Sequence, residues 1–349
     1  MVPVVTSLDG KILEFVRTHP LRSSKEIHSG ISDLASYATI KRSLQALAEK
    51  NLIEIIGQGK ATKYQASILA EFLAPLDPDI YFQKEIDERV IRPGFNFDLI
   101  EHLKKSPSIL TASEKQKIDA LHATFVEHTK DLSKEEYRKE FERLAIDLSW
   151  KSSQIEGNTY TLLETELLLK ERETAQGKTR DEATMLLNHK SVLDFILVHP
   201  DFTDPLTVAR IEDIHSMLVE GPPIGRNIRH RRVGITGTNY KPLDNEYQIR
   251  EALEALATLI NQREHVFEKA LLALVLISYI QPFEDGNKRT ARILSNAILM
   301  NHQYCPVSFR TVDAIEYKKA MLIFYEQNNI SAFKRIYMEQ YEFAVNTYF

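Results

Sequence analysis

Apolar residues recur at helical spacing along most of the chain. In Leu8–Thr18, Ile12, Leu13, Phe15 and Val16 fall on or near one face and predict a helix. Ser23 and Ser24 ahead of Lys25, Glu26 and Ile27 predict a short second helix with a serine cap, broken by the turn residues from Gly30 to Asp33. Ile40, Leu44 and Leu47 predict a third helix, from Ser36 or Tyr37 to Lys50. The period then changes: Leu52 to Ile56, the turn around Gly57 and Gly59, and the stretch to Gln65 read as strand, turn and strand. Pro75, Pro78, Pro93, Gly94 and Pro107 punctuate residues 67–110, which predicts a linker. Beyond it the pattern is helical again over 113–129, 133–151, 162–173, 181–198, 205–219, 246–263, 268–280, 288–300, 314–327 and 330–346. Residues 226–242, with Gly234 and Gly237 as turn positions, read as a short β-hairpin on a helical body. The expected fold is all-α, a helical bundle carrying a β-hairpin, preceded by a small helical unit with a β wing.

Length and composition bound this picture without changing it. The 349 residues, 43% of them hydrophobic, suffice for two or three domains with a sizeable core. One cysteine, Cys305, excludes an internal disulfide framework and a cysteine-rich zinc site. The start of the chain lacks a basic segment followed by an apolar run, and the longest apolar stretch, near 270–280, falls far short of a bilayer span. A soluble, cytoplasmic protein with no membrane partner is therefore expected. The net charge of −5 argues against coating nucleic acid through an overall field. Charge is uneven, however: residues 1–66 carry nine Lys/Arg against six Asp/Glu, the remainder 35 against 43. Three helices and a hairpin resemble a winged helix-turn-helix domain, in which Lys41 and Arg42 would sit early in the recognition helix and Lys60 and Lys63 in the wing. DNA is one expected partner of residues 1–66; a docking or dimerising role is the other. The expected division is 1–66 for this unit, 67–110 for the linker, and two further regions, 111–185 and 186–349.

The sharpest local feature lies between the helices over 268–280 and 288–300. A nearly all-apolar helix ends at Ile280, a loop with Pro282 and Gly286 follows, and a new helix opens with Lys288, Arg289 and Arg292 in its first turns. A helix N-terminus presents unpaired N–H groups and the positive end of a dipole, so such a junction favours an anion. Arg289 and Arg292, three apart, can flank that anion. Asp285 would repel a phosphate unless a divalent cation bridged the two, and one carboxylate with phosphate oxygens suits Mg²⁺.

Residues 281–292 read Q-P-F-E-D-G-N-K-R-T-A-R. This resembles the Fic family motif H-P-F-x-D-G-N-x-R-x-x-R at every defined position but the first, and the resemblance covers roughly residues 110–340. It implies a Fic helical bundle with a β-hairpin flap. It also implies adenylyl transfer from ATP to a Ser, Thr or Tyr hydroxyl of a target protein. Asp285 would be the Mg²⁺ ligand; Gly286, Asn287 and Lys288 would lie in the phosphate-holding turn; Arg289 and Arg292 would hold the phosphate chain. A homodimer is a further family expectation.

Gln281 stands where the motif has its histidine. Imidazole suits proton transfer near neutrality; a primary amide has no useful basicity there. The chain is therefore expected to be inactive or impaired, either as a natural pseudo-enzyme or as a silenced enzyme. The alternative function is a nucleotide-sensing regulator acting through the winged helix. Upstream, Ser152, Glu156 and Gly157 fit the family's inhibitory pattern [S/T]-x-x-x-E-[G/N]. By that resemblance Glu156 pairs with Arg292 and blocks the terminal phosphate of ATP. Some relatives use this glutamate to position water for removal of the nucleotide, a reaction that also draws on the missing histidine. Val233, Gly234, Ile235, Thr236, Gly237 and Tyr240 resemble the flap, an edge onto which a target segment would pair through its main chain, with Tyr240 and Pro242 expected beside the nucleotide.

Overall fold

The computed structural model describes residues 8–31, 34–222 and 224–349. The expected helix-breaking residues Ser32 and Asp33, and the side chain of wing residue Lys60, lie outside the described residues.

The N-terminal unit contains α1 (Leu8–Thr18), α2 (Ser24–Gly30), α3 (Tyr37–Glu49) and the antiparallel strands β1 (Ile53–Ile56) and β2 (Lys63–Ala66), paired from Ile53 opposite Ala66 to Ile56 opposite Lys63. Its core is its own, built on Ile12, Val16, Ile27, Ile40, Leu44, Leu47, Ile53 and Tyr64. The periodic residues of the sequence are thus the buried ones. Three helices with a β wing bear out the winged-helix expectation.

Residues 67–110 are more than a bare connector. They form α4 (Ile68–Leu73), α5 (Pro78–Tyr81) and α6 (Phe97–Lys105), and the proline-marked stretches between them run as a strap over the helical body. Ile330 N donates to Phe72 O at 2.8 Å, Arg92 N to Glu326 O at 3.0 Å, and Asn96 N to the Tyr279 hydroxyl at 2.9 Å. Proline and glycine mark breaks in regular structure, which can be as well packed as a helix when side chains take up the backbone groups.

The body comprises α7 (Ala112–Thr129), α8 (Lys134–Ile155), α9 (Leu162–Glu171), α10 (Arg180–Val198), α11 (Val208–Leu218), α12 (Glu246–Gln262), α13 (Val266–Ile280), α14 (Asn287–Asn301), α15 (Ala314–Gln327) and α16 (Ser331–Tyr348). Helix starts are strongly specified. Thr111 with Glu114, Ser133 with Glu136, Thr161 with Glu164 and Thr179 with Glu182 all close capping boxes. Each such cap is worth about 1 kcal/mol. Helices α13 and α14 occupy the centre and are buried on nearly every side. That explains why α13 shows a continuous apolar run rather than a stripe.

The expected β-hairpin at 226–242 is a correction: among the described residues the only strands are β1 and β2. The segment folds back at Gly237, with φ +89°, yet its two limbs do not pair. Its anchoring residue bonds to the loop that follows α13 and to the two ends of the segment itself. Arg229 N donates to Pro282 O at 3.0 Å, and the Arg229 guanidinium donates to the carbonyls of Gln281 (2.7 Å), Arg231 (2.7 Å) and Leu243. No helix among the described residues is long and apolar enough to cross a membrane.

Candidate active site

The loop between α13 and α14 is shaped by a few residues. α13 ends on Gln281, whose backbone is left-handed at φ +52°. α14 starts from Gly286 at φ +78°, where an added Cβ would lie 3.2 Å from Val219 Cγ1. A side chain there is disfavoured twice, by backbone conformation and by space. Asn287 closes the loop: its Oδ1 accepts from Phe283 N at 2.8 Å, and its Nδ2 donates to Phe283 O at 2.8 Å and to Gln281 Oε1 at 3.1 Å. Phe283 is fully buried, anchors the loop in the core, and stacks on His215 with ring centroids 3.6 Å apart. His215 Nε2 sits 3.0 Å from Asp285 O and Nδ1 3.3 Å from Arg226 O. Burial holds this imidazole below its ordinary value against the pull of the two carbonyls, and the ring supports the loop from its underside. Nothing in the spacing of His215 points to this role; two other histidines, His230 and His265, pair with Glu246 and Asp119.

The loop faces a cavity of about 490 Å³. One wall is Glu284 to Arg289 with Gln281; a second is Ile155, Glu156 and Gly157; a third is Val233 to Thr236; α15 closes it with Tyr317, Lys318, Met321, Leu322 and Tyr325. Residues far apart in sequence are thus brought together: the loop motif, the end of α8 with Glu156, and one limb of the 226–242 segment. Tyr240 is a correction. It is buried at 2% exposure, stacked on Tyr279, and its hydroxyl donates to Tyr279 O at 3.1 Å. A ring with its polar end satisfied inside the core serves the fold and does not border the cavity; Pro242 does not line it either. Gly237 makes the turn just outside the lining.

Electrostatically the site centres on Glu156. α8 ends at Ile155, Glu156 caps it, and Gly157 turns away at φ +101°. Arg292 Nη2 donates to Glu156 Oε1 at 2.8 Å and Lys288 Nζ to Oε2 at 2.8 Å. Arg292 is wholly buried and further donates to Ser152 Oγ (2.8 Å), Ser152 O (3.0 Å) and the Tyr317 hydroxyl (3.3 Å). Burial alone would raise the Glu156 carboxyl; Arg292 and then Lys288 more than reverse it and bring it down to about 2. Lys288 as a second partner, and Tyr317 and Ser152 as further acceptors for Arg292, are details that motif spacing could not supply.

Two other motif residues are also engaged. Arg289 Nη2 donates to Asp285 Oδ2 at 3.0 Å, while Gly286 N donates to Asp285 Oδ1 at 2.6 Å. Asp285 keeps 63% of its side chain exposed at the cavity. No group of three or more metal-ligating side chains occurs among the described residues. Gln281 donates from Nε2 to Ser278 O at 2.6 Å and accepts from Asn287 at Oε1, so both ends of its amide are used.

Known proteins agree with this geometry. The Fic/DOC family profile matches residues 205–299, and that of penicillinase repressor matches residues 5–76. A protein adenylyltransferase Fic from Nematostella vectensis is 32% identical over 177 residues, 48% of this chain and 40% of its own length. One from Aedes aegypti is 30% identical over 162 residues, 44% of this chain and 32% of its own. The chain thus spans well under half the length of these relatives. Among solved structures, Fic-1 of C. elegans superposes with a TM-score of 0.61 at 18% identity, covering 93% of this chain and 91% of that one. A Fic domain containing signaling protein from Bacteroides thetaiotaomicron gives 0.58 at 22%, covering 66% and 94%. At such identities the likeness speaks for the fold. The loop and the cavity thus lie in a region, residues 205–299, that matches the Fic/DOC family, behind an N-terminal unit, residues 5–76, that matches penicillinase repressor.

Proposed function

We propose that this chain is built as a protein adenylyltransferase, held shut by Glu156 and deprived of its base by Gln281. The observation that carries the reading is the single cavity in which the N-terminus of α14, the Glu156–Arg292 pair and the flap converge. ATP would lie with its phosphates over the first turn of α14, on Arg289 and, once Glu156 leaves, on Arg292. Asp285 fits a role in holding Mg²⁺: it is one exposed carboxylate at the cavity wall, so most ligands would come from phosphate and water. The ion would neutralise phosphate charge there. A Ser, Thr or Tyr hydroxyl of a target segment lying along Val233 to Thr236 would attack the α-phosphorus; the new P–O bond forms as the bond to pyrophosphate breaks.

The hydroxyl proton then needs an acceptor. Gln281 offers none, since its oxygen already accepts from Asn287 and an amide has negligible basicity at pH 7. While Glu156 occupies Arg292, the terminal phosphate has no productive seat. Transfer of label from α-labelled ATP onto protein tests both halves: Glu156→Gly alone is expected to stay near background, and Glu156→Gly with Gln281→His to incorporate label. Absence of label in both would remove the catalytic reading.

A second reading draws on the committed amide of Gln281 and on the N-terminal unit. Here the body binds nucleotide without transfer, and the winged helix acts on DNA through α3, where Lys41 and Arg42 are exposed. The match to a repressor over residues 5–76 supports DNA as the partner. Electrophoretic shift of duplex DNA that weakens steeply with salt would favour it; no shift at low salt would count against it.

A further inference from the structure

Midway along its course the strap between the two domains lies against the flap. Arg89, on the strap, has a nearly buried guanidinium that bonds in two directions. Nη1 donates to Glu326 Oε1 at 3.0 Å, a fully buried carboxylate on α15, and Nη2 donates to Gly237 O at 3.0 Å, at the turn of the flap. Two residues earlier, Asp87 Oδ1 accepts from Asn239 Nδ2 at 3.2 Å. Glu326 is in turn fixed by the Tyr81 hydroxyl at 2.6 Å, so the carboxylate that orients Arg89 is itself held by the strap. The flap limb from Val233 to Thr236, by contrast, pairs with no strand among the described residues.

We infer that Arg89 is a positioning residue for the flap: one planar fork ties the turn at Gly237 to α15, and so fixes the height of Val233 to Thr236 above the phosphate loop. That the flap receives an acceptor segment rests on the function proposed above; the tether itself does not. The chemistry calls for arginine. A guanidinium satisfies a carboxylate and a carbonyl in different directions at once, whereas an ammonium on a flexible stem, drawn to Glu326, leaves Gly237 O without its donor. The strap also begins where the winged helix ends, at Ser67, whose hydroxyl donates to Asn51 O at 2.6 Å. Residues on the path from the N-terminal unit to the body thus become part of the target-docking site.

Limited trypsin digestion of the full chain, with cleavage sites mapped by mass, tests this without requiring transfer. Arg231 and Arg232 are exposed at the base of the flap and report its opening. Arg89→Lys keeps a charge opposite Glu326 and so keeps the fold, but cuts the tie to Gly237. Cleavage after Arg231 and Arg232 is expected to rise roughly tenfold, the change in open population that follows loss of one charge-assisted hydrogen bond. Cleavage elsewhere stays unchanged. Asp87→Ala, an exposed position, is expected to give a smaller rise at the same bonds. Flap cleavage equal to the parent chain in Arg89→Lys would overturn the inference. So would an equal acceleration at every site, which would make Arg89 a general pin of the fold. Label transfer is read separately, so failure of the tether and failure of the transferase reading are distinct results.

Discussion

Two walls of one cavity are held in opposite ways. The inhibitory wall, Glu156 at the end of α8, is locked by two cations in a buried setting, one of them fully removed from solvent. The flap wall, Val233 to Thr236, has no strand partner among the described residues and is held by side chains instead, through Arg89 and Asp87 at its turn, Arg229 at its root and Ile235 against the core. The first wall is a contact whose loss is felt by the whole fold; the second is an edge whose unpaired backbone is available to another chain. On the function proposed above, the site would spend its rigidity on the wall that refuses nucleotide and leave the acceptor side adaptable.

The largest effect expected from breaking this contrast is catalytic. With Glu156→Gly in place, restoring a base by Gln281→His is expected to raise label transfer by about 10²–10⁴; a rise below that range would mean that something besides the base is missing. Next comes stability. Arg292→Ala leaves Ser152 and Glu156 without their buried partner and is expected to cost about 3–5 kcal/mol in chemical denaturation, whereas Val233→Ala on the flap should stay within about 0.5 kcal/mol. Equal losses would erase the distinction between the walls.

The pH dependence is smaller and has a definite sign. Glu156 is depressed from 4.5 to about 2 in the folded protein. Its contribution is therefore complete above the unfolded value and is lost as pH falls through the folded one, because the unfolded chain binds the proton first. The stability difference between the parent chain and Glu156→Gln should be flat from neutrality down to about pH 5 and close towards pH 2. A difference that already changes between pH 6 and 8 would mean that the carboxylate is not held by Arg292 and Lys288. Smallest of all, Val233→Pro removes one flap N–H at an unpaired position; unfolding should be almost unchanged, within about 0.5 kcal/mol, while modification of an added protein acceptor by the restored enzyme falls.

Much of this was legible in the sequence, for identifiable reasons. Helices are local, so Leu8–Thr18 and Ala314–Gln327 were read at the same bounds that the structure has, and the others differ by a few residues at one end or both. The loop motif was legible because an anion site at a helix start needs Gly286, Asn287 and the arginines within one short stretch. What failed was what depends on distant partners. The strap looked like a linker because its bonds go to Glu326, Tyr279 and Ser331, some two hundred residues away. The flap looked like a hairpin because alternation and a glycine turn are its local signature, yet Arg229 holds its ends through side-chain bonds to Arg231 O, Leu243 O and Gln281 O in place of a strand ladder. Tyr240 was placed at the nucleotide because an aromatic residue near a turn carries no sign of which way it faces; its stacking on Tyr279 decides that. His215 was passed over because nothing near it in the chain hints at Phe283.

One feature of position 281 reaches beyond this molecule's chemistry. The fold's principal demands on that residue are made of its backbone: a left-handed turn, an N–H given to Ile277 O, and a carbonyl taken by Arg229. The reaction's demand is made of the side chain. A single-nucleotide change in a codon separates histidine from glutamine, so on the function proposed above one mutational step would extinguish the transfer while the receptacle for nucleotide, its lock and its flap are inherited whole. In such a lineage the receptacle outlives the reaction, and selection is free to keep it for recognition alone.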